Sequence, residues 1–220
     1  MTRVLGVIPA RGGSKRIPRK NLRLLCGKPL IWYTIEAAKQ AKRLTDWVVS
    51  TEDREIADLA LSYGAYVVKR PEELAQDDTT SGAVVRHALD WMEVDREPYD
   101  MVVLLHPTSP IRDPKHIDEA VEKLIASPLD TLASVYKLPT KSHANVGSLT
   151  ANGAWFAWSR EGYMLNASIY AMKRNWFLRN NKHTDSASVP LVMDRFHSLD
   201  VDEEADLAIA GVYLGGCNGL

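Results

Sequence analysis

The chain has 220 residues, of which 45% are hydrophobic and 25% are charged, and its formal net charge is -1. This composition predicts one soluble globular domain and argues against a general nucleic-acid or membrane-surface role. The first apolar run is too short for a signal peptide or a membrane span. Its two cysteines have no C-x-x-C spacing, so they predict neither a disulfide framework nor a metal site, and we expect a cytoplasmic protein.

A short apolar strand, predicted over 3–9, leads straight into a glycine-rich basic loop, VIPARGGSKRIPRKN. From Arg11 to Lys28 the chain has seven cations and no carboxylate. Gly12 and Gly13 allow a tight bend whose N–H groups can form a nest for phosphate oxygens, and the cations complement a polyphosphate. The loop matches neither the P-loop pattern nor G-x-G-x-x-G. The alternative interpretation is a solvated basic loop or a nucleic-acid contact.

The rest of the chain alternates between helix and strand patterns. Helical spacing of apolar residues predicts helices over 28–43, 53–63, 79–91, 114–126, 174–179 and 203–214, and apolar runs predict strands over 47–51, 65–69, 99–105, 131–136, 165–172 and 188–192. This alternation predicts an α/β fold, a Rossmann-like, open and mostly parallel sheet covered by helices on both faces.

The alternation breaks at about 137–164, which predicts a small insertion in the single domain of residues 1–220. The insertion carries three large aromatic side chains, Trp155, Phe156 and Trp158. They favour a flap over the site or a subunit contact, and a hairpin with its own core is the alternative.

Five polar segments follow predicted strand ends, and these ends meet at one edge of an open α/β sheet. They are 11–21, 70–81, 106–112, 166–170 and 198–202. We therefore expect them to form one pocket.

Within these segments several side chains suit a nucleotide. Arg70, Ser81 and Asn21 carry donors and acceptors that suit a base edge. The structural alternatives are a salt bridge from Arg70 to Glu72 or Glu73, and a helix N-cap at Ser81.

His106 ends a strand beside Thr108 and Ser109. Its imidazole is expected to titrate near neutral pH, although a lone histidine is more often structural.

The segment SLDVDEEAD carries a candidate metal site. In an extended chain the side chains of Asp200 and Asp202 share a face, with their Cα atoms about 7 Å apart. Two such carboxylates can hold one Mg²⁺, which takes oxygen ligands and shares them with phosphates and water. Alternatively, Asp202 is the N-cap of the helix that follows. The basic loop favours the metal.

Four motifs in this order, IPARGGSKRIPRKN, PTSP with Arg112, NASIY and SLDVDEEAD, resemble the CMP-sialic acid synthetases, the cytidylyltransferases for nonulosonic acids. The resemblance covers nearly the whole chain. It implies that CTP and a nine-carbon 2-keto sugar acid react to give a CMP-sugar and pyrophosphate, with Mg²⁺ as cofactor, in a homodimer formed through the insertion. The alternatives are a Kdo-type cytidylyltransferase and a nucleotide-binding partner or regulator that has lost catalysis.

The resemblance also implies roles for many of the candidate residues. It assigns the triphosphate to Arg11, Ser14, Lys15 and Lys20, the ribose and cytosine to Asn21, Arg70 and Ser81, the sugar to Asn166 and Tyr170, and Mg²⁺ to Asp200 and Asp202. From their positions in the same loops we also expect Gly12 and Gly13 to bind CTP, and His106, Thr108 and Ser109 to bind the sugar. As catalytic groups we expect Arg11, Lys20, Asp200 and Asp202.

The chain departs from the family pattern on the sugar side. A glutamine is usual where His106 stands and a glycine where Ala167 stands, and the insertion looks shortened. Residues 163–165, YML, stand where arginines are expected. The SKRIP form of the basic loop, with Arg16, favours relatives that act on pseudaminic or legionaminic acid.

Overall fold

The computed structural model describes residues 2–138, 147–149, 155–157 and 162–215. Its strands are β1 (Val4–Pro9), β2 (Leu24–Leu25), β3 (Lys28–Pro29), β4 (Asp46–Thr51), β5 (Tyr66–Lys69), β6 (Met101–Leu105), β7 (Thr131–Lys137), β8 (Gly147–Leu149), β9 (Trp155–Ala157), β10 (Tyr163–Lys173) and β11 (Val189–Met193). Its α-helices are α1 (Leu30–Gln40), α2 (Arg54–Ser62), α3 (Ser81–Met92), α4 (Pro114–Ile125), α5 (Arg174–Asn180) and α6 (Glu204–Tyr213).

Seven strands form one sheet in the order β11-β7-β10-β6-β1-β4-β5. Neighbours run parallel except β10, which is antiparallel to both β6 and β7. The predicted α/β fold with a mostly parallel sheet is confirmed. Each predicted helix and strand is present, with ends shifted by at most three residues; α1, for example, begins at Leu30 because Pro29 is its N-cap.

Helices cover both faces of the sheet, as predicted. On one face α1, α2 and α4 bury residues such as Ile31, Ile56 and Ile117 against alternate strand positions. On the other face α3 and α5 bury Leu89 and Phe177. These two layers fix the strand ends, and therefore the loops that follow them.

A third, smaller apolar cluster packs the basic loop against α6 and the segment before it. Ile17 lies in the middle of the cationic segment and is fully buried. It packs with Val201 and with Leu207 of α6. The apolar side chain inside a polar loop therefore sets the position of the cations on either side of it.

The predicted insertion at about 137–164 lies largely outside the described residues, as do the side chains of Trp155, Phe156 and Trp158. Its described backbone forms the antiparallel pair β8 and β9. Of the residues described, no helix is long and apolar enough to cross a membrane. Cys26, in the turn between β2 and β3, is disulfide-bonded, which the cysteine spacing did not predict.

A bulge interrupts β10 where the strand reaches the site. The pairing of β10 with β7 shifts between Leu165 and Tyr170. Ala167 inside this bulge has φ 56°, in the left-handed region. A side chain there costs about 1 kcal/mol relative to an unstrained position.

Ala167→Gly should therefore raise the free energy of unfolding by about 0.5 to 1 kcal/mol, because glycine adopts this backbone without strain. Thermal and urea unfolding measure the change. The matched control is Ala171→Gly, four residues along the same strand at a buried, regularly paired position, which should be destabilising. Equal destabilisation by both variants would contradict the strain at Ala167.

Candidate functional site

Two adjoining cavities lie at the carboxyl ends of the parallel strands. The larger, about 460 Å³, is lined by predicted site residues Arg11, Ser14, Lys15, Lys20, Asn21, His106, Thr108 and Asp202. The smaller, about 220 Å³, is lined by predicted residues Arg11, Arg70, Ser81 and His106. Four of the five predicted segments thus meet here, and 166–170 lines neither cavity.

The glycine turn is held by carboxylates that follow β4. The Gly12 N–H donates to Glu52 Oε1 at 2.7 Å. A Cβ atom on Gly12 would collide with the carboxylate of Asp53, so the close approach of the two loops requires glycine. Glu52 accepts the hydrogen bond of this N–H, so the expected contact of Gly12 with a phosphate stays a prediction. No neighbouring atom lies within 4 Å of the corresponding position on Gly13.

The remainder of the basic loop is braced by its own polar groups. The buried Asn21 donates through Nδ2 to the carbonyl oxygen of Arg11 at 2.9 Å. Arg19 has φ 56° and pairs with Asp53 and with Glu55 at 2.6 Å. The amide N–H groups of Asn21 thus stabilise the loop, and its predicted base or ribose contact stays a prediction.

Lys20 and Arg16 both pair with Asp202 across the larger cavity. Lys20 Nζ lies 3.0 Å from Asp202 Oδ1 and 2.8 Å from the carbonyl oxygen of Val201, and Arg16 lies 2.8 Å from Asp202 Oδ2. Burial alone would raise the pKa of Asp202, but the hydrogen bonds and charges of Lys20 and Arg16 hold it below its usual value. The basic loop and the segment before α6 are therefore joined by charge as well as by Ile17.

Arg11 and Lys15 pair in the same way with one carboxylate, Asp77, and the Arg11 distance is 2.8 Å. Around the larger cavity four cations thus face two paired carboxylates. The surplus of positive charge suits a ligand with several negative charges.

Asp200 has the features of a cation ligand. Its Oδ1 is buried and has no hydrogen-bond partner among the described residues. Burial raises its pKa, which the hydrogen bond from Thr108 opposes and the nearby charge of Asp202 reinforces. An unpaired buried carboxylate oxygen near a second carboxylate fits Mg²⁺, so the residues present suit the predicted ion. Within the described residues no group of three or more His, Cys, Asp or Glu side chains could hold a metal by itself.

The alternative role of Asp202 as an N-cap is wrong. The N-cap of α6 is Glu203, which forms a capping box with Asp206. The backbone N–H of Asp202 also donates to Asp206 Oδ2, at 2.8 Å. The carboxylate of Asp202 therefore does not cap the helix, and Asp202 lines the larger cavity.

Arg70 and Ser81 line the smaller cavity, and neither has the structural role considered for it. Arg70 is only 4% exposed and pairs with Glu52 at 2.6 Å, rather than with Glu72 or Glu73. Its Nε is buried without a partner among the described residues. The N-cap of α3 is Thr80, so Ser81 is the first residue of the helix.

Glu52 is a site residue that the sequence reasoning missed. One of its carboxylate oxygens accepts from Gly12 and the other from Arg70. Glu52 therefore connects the basic loop to the smaller cavity. A signal was present, because Glu52 directly follows β4 and so belongs to the same sheet edge as the other candidates.

Arg112, in the segment after β6, is a buried brace. Its guanidinium donates to Ser168 Oγ and the Ser168 carbonyl oxygen, to Thr34 Oγ1, and to the His106 carbonyl oxygen at 2.8 Å. Burial lowers its pKa to about 9, although the charge of Asp200 opposes the shift. At neutral pH it remains charged and adds positive potential beneath the cavities.

His106 is close enough to this arginine and to His183 for both charges to act on its imidazole. Burial, together with the charges of Arg112 and His183, lowers the pKa of His106 to about 4. The expectation that His106 titrates near neutral pH is therefore wrong, because the protonated form would lie beside a buried cation.

We predict that His106→Gln keeps kcat/KM within about fivefold and leaves its pH profile between pH 5 and 8 unchanged, because the imidazole is neutral throughout this range. Initial rates across the pH range measure both quantities. Loss of an inflection near pH 6 in the variant would contradict the assignment.

The remaining sugar-side candidates are mostly enclosed. Asn166 accepts from Ser134 Oγ and from the Ser168 N–H, and it donates to Ser198 Oγ at 2.9 Å. Its amide is fully engaged, so the structure offers Asn166 as a brace of the bulge rather than as an open sugar ligand. Tyr170 and Ser109 are also buried, at 5% and 1% exposed.

The sequence model of the family described as Cytidylyltransferase matches residues 5–193. The chain belongs to the cytidylyltransferase family. It is therefore a nucleotidyltransferase, which confirms the enzyme class and the resemblance drawn from the motifs.

Three relatives of this cytidylyltransferase have names that describe enzymes for nonulosonic acids. It is 34% identical to CMP-N,N'-diacetyllegionaminic acid synthase of Legionella pneumophila over 94% of each chain. It is 33% identical to N-acylneuraminate cytidylyltransferase of Escherichia coli over 95% of this chain and 51% of the relative. Over 55% of this chain and 53% of the relative, it is 43% identical to pseudaminic acid cytidylyltransferase of Campylobacter jejuni.

Solved structures agree on the fold. A CMP:2-keto-3-deoxy-manno-octonic acid synthetase complexed with CTP superposes with a TM-score of 0.73 at 17% identity, over 97% of this chain and 98% of that one. A 4-diphosphocytidyl-2C-methyl-D-erythritol synthase from Anaerococcus prevotii gives a TM-score of 0.71 at 14% identity over the same shares.

Proposed function

We propose that this cytidylyltransferase joins CMP from CTP to the anomeric hydroxyl of a nonulosonic acid and releases pyrophosphate. The observation that carries the proposal is the larger cavity, where Arg11, Lys15, Arg16 and Lys20 outnumber their carboxylate partners. The smaller cavity adjoins it and contains the buried Arg70. A cytidine in the smaller cavity would extend its phosphates into the larger one.

In the proposed reaction the C2 hydroxyl oxygen of the sugar acid bonds to the α-phosphorus of CTP. The bond from that phosphorus to the bridging oxygen of the β-phosphate breaks, and pyrophosphate and the hydroxyl proton leave. The chain contributes mainly by positioning the two substrates and by neutralising charge. Lys20 and Arg11 hold the phosphate oxygens on which charge develops.

Mg²⁺ is proposed as the cofactor, held by Asp200 and Asp202. The unpaired Oδ1 of Asp200 and the two oxygens of Asp202 suit its preference for oxygen ligands. Bound there, the ion would neutralise phosphate charge and orient the nucleotide. Asp202, which pairs with Arg16 and Lys20, would be one of the two carboxylate ligands of the ion.

For the sugar we propose a diacetylated acid of the legionaminic or pseudaminic type. Support comes from the relative in Legionella pneumophila, which matches nearly the full length of both chains. At residues 163–165 the side chains are apolar and exposed, at 54%, 43% and 52%. Apolar groups there, in place of the arginines implied by the resemblance, suit the methyl groups of N-acetyl substituents better than an additional anion.

The test is Mg²⁺-dependent pyrophosphate release from CTP with a panel of acids: N,N'-diacetyllegionaminic, pseudaminic, N-acetylneuraminic and 2-keto-3-deoxy-manno-octonic acid. We expect release with one of the diacetylated acids and none with ATP, GTP or UTP. Release with the eight-carbon acid alone would favour the Kdo-type enzyme. CTP binding without release from any acid would favour a regulator.

Two further properties belong to the same proposal. We propose a homodimer formed through the insertion, and light scattering of the purified protein measures its mass. We also propose a cytoplasmic location, where CTP is available, which fractionation of cells tests.

A further inference from the structure

Asp77 stands in the path of the proposed nucleotide. It lines both cavities, as does its partner Arg11. Arg11 Nη1 and Asp77 Oδ1 are 2.8 Å apart, and Lys15 pairs with Asp77 Oδ2. A nucleotide whose base and phosphates occupy the two cavities must therefore pass the point where these three side chains meet.

The segment that carries Asp77 lies at the surface and contributes no side chain to the buried core. Residues 76–78 are exposed, and Asp77 itself has 47% of its side chain exposed. The backbone there makes only a local turn, in which the Thr79 N–H donates to the Gln76 carbonyl oxygen at 3.2 Å. Asp77 can leave Arg11 and Lys15 without disturbing either face of the sheet.

We propose that Asp77 competes with the phosphate tail for Arg11 and Lys15, and that its return helps to expel pyrophosphate. This inference rests on the proposed function, because it needs the larger cavity to be the phosphate site. The carboxylate occupies with its two oxygens the same two cations that a phosphate group would occupy. The hydrogen bonds from Lys15 and Arg11 hold the pKa of Asp77 below its usual range, so it is ionised at neutral pH.

The competition acts only on ligands that use Arg11 and Lys15. Exposed ion pairs are weak, and we expect the two pairs of Asp77 together to lower the affinity for a phosphate ligand about three- to tenfold. Asp77 should not change the affinity for a nucleoside that has no phosphates. CTP and the product pyrophosphate present the same kind of phosphate group to Arg11 and Lys15. Asp77 therefore weakens the binding of CTP slightly, and it also speeds the release of pyrophosphate.

Asp77→Asn tests this, since asparagine keeps the shape and removes the charge. We expect the inhibition constant of inorganic pyrophosphate and the dissociation constant of CTP to fall about three- to tenfold, with that of cytidine unchanged. The matched control is Asp78→Asn, an adjacent exposed carboxylate for which no ion pair occurs in the described part of the chain. It should leave all three constants unchanged.

The inference would be overturned by unchanged or weaker pyrophosphate binding in Asp77→Asn, by an equal shift in Asp78→Asn, or by an equal shift for cytidine. Loss of the Mg²⁺ dependence of CTP binding in Asp77→Asn would also overturn it, because Asp77 would then serve the metal. Pyrophosphate binding requires only the larger cavity. If the wild-type protein binds pyrophosphate but not CTP, the proposed function is refuted. The role of Asp77 is then still judged from the pyrophosphate binding of Asp77→Asn.

Discussion

Lys20→Ala should lower kcat/KM for the CMP-transfer reaction at least about a hundredfold while the protein remains folded. One charge-stabilising contact to a phosphoryl group contributes about 3 to 4 kcal/mol to the transition state. Lys20 is only 13% exposed and points into the larger cavity beside Asp202, so its ammonium group is held where phosphate charge would develop. Initial rates at varied CTP measure the loss, and far-ultraviolet circular dichroism checks the fold.

Lys28→Ala is the matched control for Lys20→Ala. Lys28 belongs to the same cationic stretch but lies over the ring of Trp32 and does not line either cavity. Its removal takes away the same net charge, so a change of only about twofold is expected. Full activity in Lys20→Ala, or an equal loss in both variants, would remove Lys20 from the reaction.

Asp200→Asn is expected to lower Mg²⁺-dependent activity at least about a thousandfold, because a metal ion supplies several kcal/mol of charge stabilisation in the transition state. In the absence of Mg²⁺ the variant should bind CTP as tightly as the wild type or tighter, since one negative charge that interacts with Lys20 has been removed. Titration of the CTP affinity with and without Mg²⁺ separates these effects. Unchanged Mg²⁺ dependence would contradict the proposed ligand.

Asp200→Asn should not destabilise the fold. Burial raises the pKa of Asp200, so its charged form is less favourable in the folded chain than in the unfolded one. Such a group contributes stability below its unfolded pKa, and this contribution is lost as the pH rises through the folded pKa. At pH 7 the variant should therefore unfold at or above the wild-type Tm. Asp130→Asn, at the opposite edge of the sheet, is the control and should leave activity unchanged.

The fold was predictable because its strands are continuous apolar runs and its helices have regular apolar spacing. Val4–Pro9 and Met101–Leu105 are almost entirely buried, as such runs predict for central parallel strands. The basic loop was predictable for a related reason, since its seven cations follow the first strand directly. The position of a loop after a strand determines which edge of the sheet it reaches.

The partners of the cations were not predictable from the sequence. Arg11 and Asp77 are 66 residues apart, and Lys20 and Asp202 are 182 apart. A local pattern describes the charge of a loop but not the carboxylate that folds against it. Glu52 was missed for this reason, although it holds both Gly12 and Arg70.

The pKa of His106 was not predictable either. Its position at a strand end is visible in the sequence, but the shift depends on burial beside Arg112 and His183. Likewise, the engagement of Asn166 depends on Ser134 and Ser198, which come from two other segments. Chemistry that depends on contacts between distant segments appears only once the sheet has brought them together.

A crystal structure of the protein with CTP and Mg²⁺ tests the central claim most directly. We expect cytidine beside Arg70 and Ser81, the triphosphate against Arg11 and Lys20, and the metal on Asp200 and Asp202. A triphosphate bound elsewhere, with the original ion pairs of Lys20 and Arg11 intact, would contradict it.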